Sequence, residues 1–184
     1  VRYTEKDEPS TIEQLAEVIC STVKAEAAKH KMPLPKLMVE PGRSIVGEAG
    51  ITLYTVGAIK DIPGVRTYAS VDGGMTDNPR VALYQAEYDA IVANKANKKP
   101  AKLYSIAGNA CESGDMLIWN INLPELEAGD ILAVLTTGAY NYIMSSHYNM
   151  HPKPPVVFVR GGRAQLVARR ETYADIMRPQ LMPK

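Results

Sequence analysis

The sequence predicts an α+β chain: the last helix and strand of an α/β barrel, followed by an antiparallel β-barrel or sandwich domain. Three observations carry that reading. Apolar residues recur at helical spacing up to about His30, as on the buried stripe of an amphipathic helix. Beyond Gly50 the pattern changes to short runs rich in Val, Ile, Leu and Tyr, parted by turn residues, as in antiparallel β-proteins. Three polar segments, Glu40-Pro41-Gly42-Arg43, Cys111-Glu112-Ser113-Gly114-Asp115 and Gly138-Ala139-Tyr140, each fall where an apolar run ends. Strand ends are where folds place their sites.

Ser10-Thr11-Ile12-Glu13 has capping-box spacing, with a hydroxyl to accept an orphan amide and a carboxylate to reach back. Ile12, Leu15, Ala16, Ile19, Val23 and Ala27 then form one helical stripe, and Pro33 and Pro35 stop the helix. Leu37-Met38-Val39 reads as a short buried strand that Glu40-Pro41-Gly42 ends. Helix, strand and polar loop in that order follow the grammar of an α/β barrel. Strands are then expected at 51–62, 65–71, 103–107, 116–121, 131–135, 156–160 and 164–168. Pro63-Gly64 and Gly129-Asp130 mark turns between them, and Gly161-Gly162 is a two-residue hairpin signal. The switch of pattern divides the chain into 1–49 and 50–184, packed together, with no repeat and no low-complexity tract.

At 184 residues the chain is long enough for one domain, or one domain and part of another. Charged residues are 22% of the chain and the net charge is +1, which argues against a nucleic acid or a membrane surface recruited by bulk charge. No apolar run has the length of a membrane span, and the start carries no signal-peptide pattern. The two cysteines, Cys20 and Cys111, form no Cys-x-x-Cys pair, so no disulfide framework is expected and a reducing cytoplasm is. The first residue is Val1 rather than a methionine, and the chain reads as a piece of something longer.

Each polar segment offers chemistry that a plain turn does not need. In Glu40-Pro41-Gly42-Arg43, Gly42 lets backbone approach a ligand and Arg43 can clamp a carboxylate with two donors; the ordinary alternative is a turn with a surface arginine. Arg80 and Tyr84, after Asp72-Gly73-Gly74-Met75, are four apart, so one helical turn would set both on one face as an anion-binding pair. The plain alternative is a solvated arginine near a packed tyrosine. Cys111 is a candidate proton donor if exposed and suitably tuned, and Glu112 beside it can hold an ammonium group; the plain alternative is a small buried cysteine beside a turn glutamate. Tyr140 offers a hydroxyl to a phosphate or a substrate; the plain alternative is a packed tyrosine, one of ten in the chain. His147 and His151 share helical spacing, but Asn149, Pro152, Pro154 and Pro155 argue for a loop, and with no third ligand no metal site is expected.

Together and in this order, Glu-Pro-Gly-Arg-Ser-Ile-Val at 40–46, Asp-Gly-Gly-Met at 72–75, Arg80 with Tyr84, Cys-Glu-Ser-Gly-Asp at 111–115, Gly-Ala-Tyr at 138–140 and Tyr148-Asn149 resemble the C-terminal part of the diaminopimelate decarboxylase family. Arg170-Glu171-Thr172 is similar to that family's closing segment. These are pyridoxal-phosphate-dependent enzymes with an alanine-racemase-like fold. The resemblance implies a (β/α)8 barrel that ends within 1–49 and a β-domain over 50–184, with 138–155 returning towards the barrel active site. It implies decarboxylation of meso-diaminopimelate to L-lysine, the last step of lysine biosynthesis. The lysine that binds the cofactor would lie before Val1, since the context of Lys36 does not match it. The chain alone is therefore expected to be inactive without the N-terminal half.

Residue by residue, the resemblance implies that Glu40, Gly42, Arg43 and Tyr140 belong to the cofactor site. Arg43, Arg80 and Tyr84 would grip the distal carboxylate of the substrate and Glu112 its distal ammonium. Cys111 would be the catalytic acid. Cys111 and Glu112 would reach the site of a neighbouring subunit, which implies a homodimer with shared sites. Two alternatives stand beside this reading. One is a decarboxylase for ornithine, arginine or a polyamine precursor; the other is a non-catalytic β-domain for binding or assembly.

Overall fold

The computed structural model describes residues 1–183. Its first element is α1 (Ile12–Lys29). Thr11 rather than Ser10 caps it: the Thr11 hydroxyl accepts from Gln14 N at 3.1 Å, and Gln14 Oε1 accepts from Thr11 N at 2.9 Å. The capping box thus sits one residue later than expected, closed by an amide in place of the Glu13 carboxylate. No residue of α1 is buried. Leu37, Met38 and Val39 are exposed and form no strand. A strand exists only through a partner ladder, and among the described residues 37–39 have none.

Six strands make one sheet: β1 (Thr52–Ile62), β2 (Arg66–Val71), β3 (Ala90–Val92), β4 (Lys102–Ala107), β5 (Met116–Leu123) and β6 (Ile131–Val134), in the order β3-β6-β1-β2-β4-β5. β1 turns into β2 through Pro63-Gly64, where Gly64 takes φ +72° and Val65 N bonds Ile62 O at 2.9 Å. Proline followed by a positive-φ glycine is the chemistry of a type II turn. The core is lined by Tyr54, Val56, Ala69, Val71, Tyr104, Ile106, Leu117, Leu132 and Val134. A separate hairpin of β7 (Val156–Arg160) and β8 (Arg163–Ala168) closes through Gly161-Gly162, both at positive φ, as a primed two-residue turn requires. Two short helices complete the order, α2 (Arg80–Tyr84) before β3 and α3 (Tyr173–Met177) after β8. β3 and α3 carry no signal that the sequence reading used.

The sheet is mixed, not purely antiparallel: β2 pairs with β4 in parallel, with Tyr68 opposite Ser105. That correction decides where the site lies. β1 is antiparallel to both β2 and β6, so β2, β4 and β6 all run one way and end at the same end of the sheet. β1 runs the other way and starts there. The segments around 42–50, 72–80, 108–115 and 135–142 therefore converge on one end. Reversing the β2–β4 pairing would send residues 108–115 to the opposite end.

Candidate active site

Backbone bonds weld the first and last of these segments together. Thr137 N donates to Gly50 O at 2.9 Å and Gly138 N to Gly47 O at 3.0 Å, while Gly47 N turns back on Arg43 O at 2.7 Å. A Cβ on Gly138 would drive into the Val46 carbonyl oxygen, which is backbone and has no room to yield. Gly138→Ala is expected to cost about 3 kcal/mol, a fall of roughly 6–12 °C in Tm for a chain of this size. An unchanged thermal melt would show that the two segments are not packed this way. The same weld brings Gly42, at φ +56°, beneath Tyr140: a Cβ there would sit 3.1 Å from the Tyr140 hydroxyl. Glycine is required on both counts.

Two buried aspartates fix the middle segments. Asp77 accepts from Gly74 N at 2.8 Å and from the Tyr54 hydroxyl, and burial is the largest influence on its carboxyl, pushing its pKa up. Asp115 accepts from Met75 N at 2.6 Å and Ala110 N at 2.8 Å, and Asn109 N donates to Gly73 O at 3.1 Å. The 72–78 and 108–115 segments are thus one unit. It leaves Cys111 and Glu112 exposed at its rim. Tyr148 donates to Glu112 Oε2 at 3.3 Å, and that carboxylate is the largest influence raising the Tyr148 pKa.

Arg80 opens α2 and is 8% exposed. Its Nη1 donates to Tyr3 Oη at 2.9 Å and to Tyr88 Oη at 2.8 Å, and the Tyr88 hydroxyl contacts Asn141 Oδ1 at 3.4 Å. Arg43 Nη1 donates to the same Tyr3 oxygen at 3.3 Å. Among the described residues no carboxylate forms an ion pair with either guanidinium. Arg80 is buried, while Arg43 is exposed beside it. Buried charges are normally paired, so a buried guanidinium without a counter-anion, with a second arginine converging on it, describes a site for an anionic ligand.

The structure brings Gly42 to Tyr140 and Arg43 to Arg80, and sets Cys111 beside Glu112. Tyr84 lies on the same helical turn as Arg80, as the spacing predicts, but it is 63% exposed while Arg80 is buried against other tyrosines. Glu40 is exposed and its side chain joins no hydrogen bond among the described residues. His147 pairs with Glu171 at 2.6 Å, and no cluster suited to a metal ion occurs among the described residues. Tyr3, Tyr88 and Asn141 are site residues that sequence reasoning missed, and Asp115 stood in a segment it singled out but had no role assigned. Tyr3 stands 77 positions from Arg80, and no local period links such residues.

Sheet and site together define a class: the chain belongs to the family of the pyridoxal-dependent decarboxylase C-terminal sheet domain, whose pattern it matches over residues 13–138. Diaminopimelate decarboxylase of Bacillus subtilis (strain 168) is 55% identical over 181 residues, covering 98% of this chain and 41% of that protein. The crystal structure of diaminopimelate decarboxylase from M. jannaschii superposes with a TM-score of 0.89 at 35% identity, over 100% of this chain and 41% of that one. Its complex with L-lysine gives 0.88 at 35% identity, over 98% and 41%. The chain thus spans about two fifths of the length of these relatives. The family's cofactor carries a phosphate, and groups suited to one meet here: the Tyr140 hydroxyl lies against the side-chain-free backbone of Gly42.

Proposed function

We propose that the chain is the C-terminal part of a pyridoxal-phosphate-dependent carboxy-lyase that converts meso-diaminopimelate to L-lysine, the last step of lysine biosynthesis. The observation that carries this is the pair Arg43 and Arg80, converging without a counter-anion. Diaminopimelate has an amino acid at each end, so the end that does not react presents a carboxylate to these arginines. Ornithine, arginine and polyamine precursors present only a cation there, and a non-catalytic β-domain has no use for a buried unpaired guanidinium. Names of the relatives support the same substrate.

Residues 1–49 would complete a (β/α)8 barrel supplied by the N-terminal half, and 50–184 would form the β-domain, with 138–155 returning to the barrel site. Ile12, Leu15, Val18, Leu37, Met38 and Val39 are all exposed. Covering each contributes about 1.5–3 kcal/mol, a stabilisation that the rest of a barrel would supply. Pyridoxal phosphate, when bound, supplies the electron sink for the charge left as carbon dioxide departs. Gly42 backbone and the Tyr140 hydroxyl hold its phosphate, with Glu40 and Arg43 alongside. Arg43, Arg80 and Tyr84 grip the distal carboxylate and Glu112 the distal ammonium. Cys111 Sγ places a proton on the carbon that lost its carboxylate.

Cys111 and Glu112 stand exposed, and among the described residues Tyr148 is the one neighbour that bonds to the Glu112 side chain from outside the loop. This supports a homodimer in which the pair completes the partner's site. Both free cysteines are exposed, in keeping with a reducing cytoplasm, and among the described residues no helix is long and apolar enough to cross a membrane.

Reconstitution tests the reading. The chain alone should release no carbon dioxide from diaminopimelate, and the chain joined to its barrel half should release it with equimolar L-lysine. Release by the chain alone, or none from the joined protein, overturns the proposal. Mixing Glu112→Ala subunits with subunits lacking the barrel lysine should restore activity. No recovery despite proven subunit exchange overturns the shared site.

A further inference from the structure

We propose that Tyr3 is a substrate-contacting residue whose hydroxyl donates to the same distal carboxylate that Arg43 and Arg80 grip; this rests on that reading of the two arginines. A phenol oxygen has two lone pairs and one proton. At Tyr3 both lone pairs are engaged, since Arg80 Nη1 donates at 2.9 Å and Arg43 Nη1 at 3.3 Å. Guanidinium has no acceptor, so the phenol proton cannot be returned to either arginine. Among the described residues no group accepts it.

Tyr88 shows the contrast. It also receives Arg80 Nη1, at 2.8 Å, but its proton has an acceptor in Asn141 Oδ1 at 3.4 Å. Tyr88 therefore positions Arg80, while Tyr3 keeps a free donor at the point where the two cations meet. A phenol donor held between two guanidinium groups is suited to an anion.

Tyr3 is also held well enough to serve. Its amide donates to Asp7 Oδ2 at 3.0 Å, and its carbonyl accepts from Asp89 N at 3.3 Å. Its ring packs edge-on against Tyr88, with centroids 5.3 Å apart at 89°. The guanidinium carbons of Arg80 and Arg43 lie 5.0 and 5.5 Å from its ring centre, within cation–π range. The ring contacts both like charges, and the oxygen accepts from both.

Tyr3→Phe in the full-length holoenzyme isolates the hydroxyl, because the ring contacts remain. L-lysine and cadaverine serve as probes: they share chain and ammonium groups, and only lysine has a carboxylate. The variant should bind L-lysine about tenfold more weakly, as for one hydrogen bond to a charged acceptor, with cadaverine unchanged. For diaminopimelate, KM should rise with kcat little altered. Unchanged lysine affinity, or equal weakening of both probes, overturns the role of Tyr3. Arg80→Met run in parallel separates the two ideas. If it lowers the preference for lysine and Tyr3→Phe leaves that preference unchanged, Tyr3 alone is misassigned. If Arg80→Met leaves the preference intact, the carboxylate site itself fails, and the role of Tyr3 with it.

Discussion

Arg80→Met in the complete enzyme should lower kcat/KM for diaminopimelate about a hundredfold or more while leaving Tm unchanged or raised. Arg80 is 8% exposed and has phenols, not carboxylates, as its partners. Removing it deprives a substrate carboxylate of charge-assisted bonds worth about 1.5–3 kcal/mol each, and a loss of about 2.7 kcal/mol is already a hundredfold in rate. Stability follows a different ledger. A buried guanidinium without an anion is a desolvated charge, and replacing such a group by a well-packed apolar residue is often neutral or stabilising. Methionine keeps much of the volume and bends to fill gaps. Tyr88 keeps Asn141 as a partner, so few polar groups are stranded. A fall in both activity and Tm would assign Arg80 to the fold instead of the ligand.

Much of this site was legible because unusual chemistry sat at strand ends. Gly42, Cys111, Glu112 and Tyr140 stood out as residues that a plain turn does not need; Cys111 and Glu112 follow β4 and Tyr140 follows β6 as expected, whereas Gly42 follows no strand. The hairpin at Gly161-Gly162 was legible for a stricter reason: two consecutive positive φ angles leave glycine as the low-strain choice. Other features were not legible because they depend on distant partners. The parallel β2–β4 pairing joins strands with α2 and β3 between them, and local alternation gives no direction to a strand. β3 has three residues, too few for a period. Leu37-Met38-Val39 had the composition of a strand but has no ladder in this chain. Composition selects candidates, and partners decide.

Tyr3 marks the same limit at the site. Nothing near Val1 suggests an acceptor for two arginines that lie 40 and 77 positions away. Arg80 and Tyr84 show how a correct local reading can still miss an environment. The helical turn formed, yet the buried partners of Arg80 came from the chain start and from Tyr88 beyond the helix, where Gln85 takes a left-handed conformation and ends the turn.

The central claim is that Arg43, Arg80 and Tyr3 form a carboxylate site, and substrate choice in the complete enzyme tests it most directly. Meso-diaminopimelate and D-lysine, each offered as the molecule to be decarboxylated, share the D-configured end that reacts and differ at the far end by one carboxylate. Two or more bonds to that group, at about 1.5–3 kcal/mol each, should favour diaminopimelate in kcat/KM by roughly a hundred- to ten-thousandfold. The measurement is carbon dioxide release from each compound across a range of concentrations. A preference of that size is the predicted result; equal specificity constants, or a preference for D-lysine, would contradict it.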